Sequence, residues 1–252
     1  MVQMGLDLRV KCKPIAMKTN LILPIKKRKH IIPVIPLHVY MTWKTSNMPP
    51  LMKQNYLELC RANPEFQFHF YDDAACRDFI QKNFSIDVLQ AYDGLIPGAY
   101  KADLWRLCVL FIHGGIYMDI KLQCIGSFKL FELIDKEHYV LDRPKDSLHV
   151  YNAFMVSKAG SPFLKAGIFK IVQNVKQKYY GKWILSPTGP EMLGQLANYF
   201  PINIDMVYPI RYNDHIMYEN ILVLRNYKGY REEQMNVQIH YSELWYKKSI
   251  YL

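Results

Sequence analysis

The chain has 252 residues, half of them hydrophobic, 21% charged and 14% aromatic, with a formal net charge of +10. That composition excludes an intrinsically disordered chain, and the length supports one substantial core without requiring two. Cys12, Cys60, Cys76, Cys108 and Cys124 show no C-x-x-C spacing, which excludes a zinc-finger or disulfide-framework reading and points to a reducing, cytoplasmic compartment.

Taken in chain order, residues 1–30 form a basic N-terminal arm, with Arg9, Lys11, Lys13 and Lys18 ahead of the run Lys26, Lys27, Arg28, Lys29. The arm is read as solvated, and Met1 to Gly5 does not lead into a secretory apolar region. No apolar stretch reaches the roughly 18 residues of a spanning helix, so a soluble protein with no transmembrane segment is expected. Residues 31–252 are read as a single catalytic domain. Ile35 to Met41 reads as a buried strand, and Pro49 and Pro50 open a helix on which Met52, Tyr56, Leu59 and Cys60 recur at helical spacing. Asn63 and Pro64 close it. Phe66, Phe68 and Phe70 then alternate with polar residues, the period of a strand, and Asp72 and Asp73 can cap a helix over Ala74 to Asn83. Strand, helix, strand, helix is the order of an α/β fold, here expected as a central, mostly parallel sheet flanked by helices.

After Gly94 to Gly98, the spacing predicts a helix over Lys101 to His113, with Leu104, Leu107, Cys108 and Phe111 as its apolar stripe and Gly114 as its C-cap. Asp103 and Arg106 are three apart, hence neighbours at the border of that stripe. Such a pair either lines a cleft or is a structural ion pair. Ile116 to Lys121 reads as the following strand, with Tyr117, Asp119 and Lys121 on one face, so that Asp119 and Lys121 can both address one polar object. Ligands of open α/β sheets gather beyond the carboxyl ends of strands, which favours this junction as the site.

Several segments, Ile35-Pro36, Thr42-Trp43-Lys44-Thr45, Asn63-Pro64-Glu65, Ala102-Asp103-Leu104-Trp105-Arg106 and Gly114-Gly115-Ile116-Tyr117-Met118-Asp119, resemble glycosyltransferase family 32. Asn152 and Thr188-Gly189-Pro190 resemble its later segments. The likeness covers roughly Ile31 to Gly194 and is densest over Tyr100 to Asp119. It implies a GT-A-like fold and a retaining enzyme that moves a sugar from a nucleotide-diphosphate donor, UDP- or GDP-linked, to a glycan or other hydroxyl acceptor. It further implies that Trp43 stacks on the base, although Trp43 also fits a core position at a strand end. In that picture Asp103 and Arg106 hold the donor sugar and its phosphate end and Asp119 contacts the ribose. Tyr117 and Lys121 are read as donor-side residues beside them, Asp103, Arg106, Asp119 and Lys121 being the candidate catalytic set, and Asn152 borders the acceptor or is a turn asparagine. His240 and Trp245, in a C-terminal segment, close over the diphosphate or are structural.

In the family a D-x-D motif binds a divalent ion, and two carboxylates in one reach suit Mn²⁺ or Mg²⁺. Here Lys121 stands where the second aspartate is expected, so metal binding by Asp119 is weakened unless another acid, such as Asp142, completes the set. An ammonium is instead suited to phosphate directly. Two other readings carry different tests: a catalytically silent, glycosyltransferase-like binding module, and a basic nucleic-acid-binding protein with tyrosines as stacking platforms. No nucleic-acid motif is present, and a cleft for diphosphate explains the basic charge equally well, so no nucleic-acid partner is expected.

Overall fold

A computed structural model describes residues 32–142, 147–209, 214–235 and 241–252; the basic arm expected at residues 1–30 lies outside the described residues. The chain order is β1 (His38–Thr42), α1 (Pro50–Ala62), β2 (Gln67–Tyr71), α2 (Asp73–Asn83), α3 (Ile86–Gly94), α4 (Gly98–His113), β3 (Gly115–Met118), β4 (Leu122–Cys124), a 3-10 turn (Leu130–Leu133), β5 (His138–Asp142), β6 (Val150–Ser157), α5 (Pro162–Lys176), α6 (Pro190–Ala197), β7 (Ile204–Tyr208), β8 (His215–Tyr218), β9 (Ile221–Asn226), α7 (Tyr230–Met235) and α8 (Tyr241–Tyr246).

Local chemistry starts and stops the first elements as expected. α1 begins at Pro50, whose missing N–H costs nothing in a first turn, and ends where Asn63 donates from both its backbone N–H and its side chain to the Leu59 carbonyl. The Asp72 carboxylate accepts from the Ala75 N–H at 2.9 Å and so caps α2. Gly114 ends α4 with φ +64°, and Gly115 continues at φ +104°. A Cβ on Gly115 would lie 2.6 Å from the His38 carbonyl oxygen, so the close approach of β3 to β1 requires glycine there. α3 has no counterpart in the sequence reading. Nine residues make a helix too short to stand on propensity, and packing on α2 and α5 supports it.

One sheet takes all nine strands in the order β2-β1-β3-β6-β5-β7-β8-β9-β4. The α/β class and flanking helices are as expected. The sheet is mixed, however: β1 runs parallel to β2 and β3, and β5 to β7, while the other five pairings are antiparallel. The expectation of a mostly parallel sheet held for the first half because short crossover helices link those strands. In the second half the consecutive pairs β5–β6, β7–β8 and β8–β9 are direct reversals and so antiparallel, and the long-range pairs β3–β6 and β4–β9 are antiparallel too, which leaves β5–β7 as the parallel pair there.

Successive strand residues face opposite sides. Tyr40, Tyr117, Tyr139 and Met155 enter the core beneath α2 to α6, while Val39, Met41, Ile116, Met118 and Phe154 enter the core beneath α1 and the 3-10 turn. The two cores grip β3 from both faces and fix where its carboxyl end points.

At the parallel edge, His38 Nδ1 and His69 Nε2 are 3.0 Å apart, with the Tyr40 ring stacked on His69 at 4.9 Å and on His113 at 6.0 Å. Burial and the neighbouring imidazoles lower the pKa of His69, and burial with His38 lowers that of His113. A histidine whose folded pKa lies below its unfolded value of about 6.5 takes its proton first in the unfolded state, so stability is present above that pH and is lost as pH falls through it. The melting temperature of the parent is expected to fall between pH 7.5 and 5.5, and His69→Gln to reduce that fall; equal slopes in the two proteins would exclude the histidine cluster as its source.

Candidate functional site

The site lies at the carboxyl end of β3, where the chain must leave one strand partner for another. β3 sits inside the sheet beside β1 and β6, yet β4, three residues on, pairs with β9. Asp119, Ile120 and Lys121 make the change of direction as a turn, closed by the Leu122 N–H on the Asp119 carbonyl at 2.9 Å. Asn55 of α1, itself buried, donates to the carbonyls of Ile120 and Leu122, each at 3.0 Å. Asp119 and Lys121 therefore do not share a strand face, as the sequence pattern suggests. They meet through the turn, with Lys121 Nζ 3.0 Å from Asp119 Oδ2.

Arg106 is the centre of the arrangement. Its guanidinium donates to the Asn152 carbonyl at 2.7 Å and, from Nε, to the Ala102 carbonyl at 3.1 Å. Its other terminal nitrogen faces Asp103 Oδ1 at 3.3 Å and Asp119 Oδ1 at 3.5 Å, and the guanidinium carbon lies 4.4 Å from the centre of the Tyr117 ring. The residue is 5% exposed. Two carboxylates and two cations thus balance in one partly desolvated cluster, the condition under which buried charge is tolerated.

Asp103, 8% exposed, accepts from the Asn152 amide at 2.9 Å and from the Thr188 hydroxyl at 2.7 Å. Burial raises its pKa, opposed by Arg106 and by these two donors. For Asp119, burial also acts upward, but the Lys121 ammonium, the Arg106 guanidinium and the Tyr117 hydroxyl, which donates at 2.7 Å, together hold its pKa below the usual carboxylate value. Burial disfavours the Lys121 charge, and Tyr151, Asp119 and Tyr230 outweigh it, so Lys121 stays protonated. Its ammonium lies 5.7 Å from the Tyr151 ring centre, and that ring stacks on Tyr208 at 4.3 Å.

These groups open into a cleft bounded by Trp43, Lys44, Asp73, Ala102, Arg106, Tyr117, Asp119, Lys121, Tyr230 and Gln234, among others. Of the residues singled out from sequence, Trp43, Arg106, Tyr117, Asp119 and Lys121 share this cleft. Asp103 and Asn152 stand behind it and hold Arg106. Asn152 is a residue of β6, which rules out the turn-asparagine reading, and its amide is committed to Asp103. Trp245 does not line the cleft: its indole N–H donates to the Tyr180 carbonyl at 2.8 Å, because α8 packs on the loop after α5. His240 lies outside the described residues.

The sequence reading did not single out Asn55, Tyr151 or Tyr230. Asn55 alone had a local signal, a polar side chain three residues from Met52 on the apolar stripe of α1. Tyr151 and Tyr230 come from segments 30 and more residues downstream, and nothing in their neighbourhoods marks them.

Among the described residues, the groups at the turn do not by themselves form a carboxylate cage for a divalent cation. Asp119 is the single carboxylate at the turn, its Oδ1 accepts from Tyr117 and its Oδ2 from an ammonium. Asp142, the acid that could have completed the set, lies in β5 and is not among the cleft residues. Among the described residues, no three His, Cys, Asp or Glu side chains converge as a metal site.

Residues 49–140, just over a third of the chain, match the family model described as "Glycosyltransferase sugar-binding region containing DXD motif". This bears out the resemblance read from the motifs. Among curated relatives, Inositol phosphoceramide mannosyltransferase 2 of Schizosaccharomyces pombe is 27% identical over 201 residues, covering 78% of this chain and 54% of that protein. An uncharacterized glycosyltransferase of Acanthamoeba polyphaga mimivirus is 31% identical over 100 residues, 38% of this chain and 40% of that one. The chain therefore spans about half the length of the curated relatives it matches, or less. The fold is shared with PaToxG Glycosyltransferase, with a TM-score of 0.52 and 17% identity over 66% of this chain and 69% of that one. The GT-A-like α/β fold expected from the sequence is borne out by that likeness. No helix among the described residues is long and apolar enough to cross a membrane.

Proposed function

We propose that this chain, which carries the glycosyltransferase sugar-binding region at residues 49–140, transfers a hexose from a nucleotide-diphosphate donor to a hydroxyl acceptor, with retention. The observation that carries the reading is the convergence of Trp43, Arg106, Asp119 and Lys121 on one cleft within and beside the matched region. The donor's base lies against Trp43, its ribose faces Asp119, and its diphosphate takes the two cations. Several relatives bear the name of mannosyltransferases, which makes GDP-mannose the first donor to try, beside UDP-linked sugars. An inositol-bearing phospholipid headgroup is the first acceptor, after the name of the first relative.

In this mechanism the bond from the anomeric carbon to the diphosphate oxygen breaks while the acceptor oxygen bonds to that carbon on the same face. The acceptor's proton passes to the departing diphosphate. The Lys121 ammonium, fixed by Asp119 before the donor arrives, meets the growing negative charge, and preorganised charge of this kind is the largest single contribution in many enzymes. Arg106 supplies a second positive charge that its own contacts keep from moving. Asp103 and Asn152 act through Arg106 and are positioning residues. Among the described residues the groups at the turn form no carboxylate cage, which supports the reading that Lys121 meets the leaving-group charge in place of an ion.

Turnover of GDP- and UDP-sugars, with excess chelator or with added Mn²⁺, tests this. Turnover that persists in chelator supports the ammonium reading, and strict Mn²⁺ dependence would overturn it. Donor binding without turnover, across metals and acceptors, would favour the silent binding module instead. Trp43→Ala is expected to raise the donor KM by about 5- to 100-fold, the worth of one base-to-ring stack, with kcat little changed. An unchanged KM would return Trp43 to a purely structural part in the core it also touches.

A further inference from the structure

Beside the cleft, the loop after α5 and the C-terminal helix α8 build one surface around Tyr180. The Lys248 ammonium lies 4.4 Å from the Tyr180 ring centre and 4.5 Å from that of Trp245, and the Tyr180 and Tyr251 rings meet edge-on at 5.4 Å. From this packed base two large rings project into solvent: Trp183 is 65% exposed and Tyr246 73%. Residues 162–183 and 241–252 together carry seven lysines and a single acid, Glu243. Lys176 is paired with Asp87 at 2.9 Å and Lys247 reaches Glu243 at 3.9 Å. Among the described residues, no ion pair holds Lys178, Lys182 or Lys248.

We propose that this face docks on an anionic membrane surface, with Trp183 and Tyr246 seated at headgroup level and Lys178, Lys182, Lys247 and Lys248 on the lipid phosphates. Indole and phenol rings, apolar in body and polar at one edge, favour the interface between hydrocarbon and water. Lysines on flexible stems adapt to headgroups that have no fixed positions, and their attraction requires negative lipid. The charge also argues against the obvious competitor, a second copy of this chain, because self-association here would press lysine against lysine in a protein of net charge +10.

The face borders the site. The loop that presents Trp183 runs on to Thr188, whose hydroxyl holds Asp103, and the Tyr100 hydroxyl of α4 donates to the Ile184 carbonyl at 2.6 Å. Tyr241, the first residue of α8, lies ring to ring with Tyr100 at 5.8 Å. Docking would therefore bring headgroup hydroxyls to the side of the cleft. That consequence rests on the transferase reading; the docking itself rests on the surface alone.

The test is co-sedimentation of the full chain with vesicles of phosphatidylcholine, alone or with one-third phosphatidylserine. Binding is expected to the anionic vesicles only, weakened at least tenfold by Trp183→Ala with Tyr246→Ala, and abolished by Lys178→Glu with Lys182→Glu. Each variant is first checked for an unchanged melting temperature and an unchanged circular-dichroism spectrum, so that misfolding is not read as lost docking. Parent-like binding by both variants would overturn the proposal, since the basic run at Lys26 to Lys29 would then carry the attraction. Equal binding to neutral vesicles, binding to polynucleotide but not to vesicles, or a dimer that the same variants dissolve would each overturn it too. Absent donor turnover alongside intact vesicle binding would sink the transferase reading and leave the docking standing.

Discussion

Lys121→Ala is expected to lower kcat by about 10²- to 10³-fold, the usual cost of removing one preorganised charge that faces the growing negative charge of a transition state. The expectation follows from how the ammonium is held. It lies 3.0 Å from Asp119 on a turn that Asn55 clamps from α1, so it needs no rearrangement when the diphosphate departs. Donor KM should move far less than kcat, because an interaction that strengthens in the transition state is lost mainly from kcat. Lys121→Asp is the sharper variant. It places two carboxylates in one reach, so activity should be lost in chelator and partly regained with Mn²⁺. If Lys121→Ala turned over like the parent at saturating donor, the leaving group would be stabilised elsewhere and the mechanism above would fall.

Arg106→Met is expected to cost about 3–5 kcal/mol of stability, because it strips the shared partner from two carboxylates in a desolvated cluster. For a domain of this size that is a fall in melting temperature of roughly 10 °C. The loss should depend on pH in a definite sense. Asp119 has a depressed folded pKa, so its stabilising share is present above the unfolded carboxylate pKa of about 4 and vanishes as pH falls through the folded value. Removing the guanidinium lets the pKa of both Asp119 and Asp103 rise, and protonation then relieves the uncompensated charge. The deficit of Arg106→Met against the parent should therefore be larger at pH 7.5 than at pH 5. Asp103→Asn added to Arg106→Met should recover part of it, a coupling that a double-mutant cycle measures. A deficit independent of pH, with no recovery in the double variant, would mean that packing on Tyr117 is what the guanidinium supplies.

Local structure was legible wherever the cause was local. Asp72 capped α2 because an aspartate before a helix has an N–H within its own reach, and Gly114 closed α4 because a left-handed residue is needed there. The pairing of Asp103 with Arg106 follows from helical geometry, since residues three apart are neighbours. The same local logic misjudged Asp119 and Lys121: alternation predicted a strand continuing to 121, while β3 stops at Met118. The reason is that β4 belongs to β9, a partner a hundred residues away, and the chain must turn to reach it. The mixed character of the sheet was hidden for the same reason, since pairing direction in its second half is set by which strands meet and not by their own alternation.

The sequence by itself determined β1, α1, β2, α2, α4 and the start of β3, the α/β class, and the four charges of the proposed site, because each depends on spacing within a few residues, whereas α3 depends on its packing. Only the tertiary structure decided that Trp43 shares a cleft with those charges while Trp245 does not. It also decided that Asn152 and Thr188 fix Asp103, and that Asn55 holds the turn. Those relations join residues 49 to 85 positions apart whose meeting is settled by burial of two cores against one sheet, a sum over the whole chain that no local window contains.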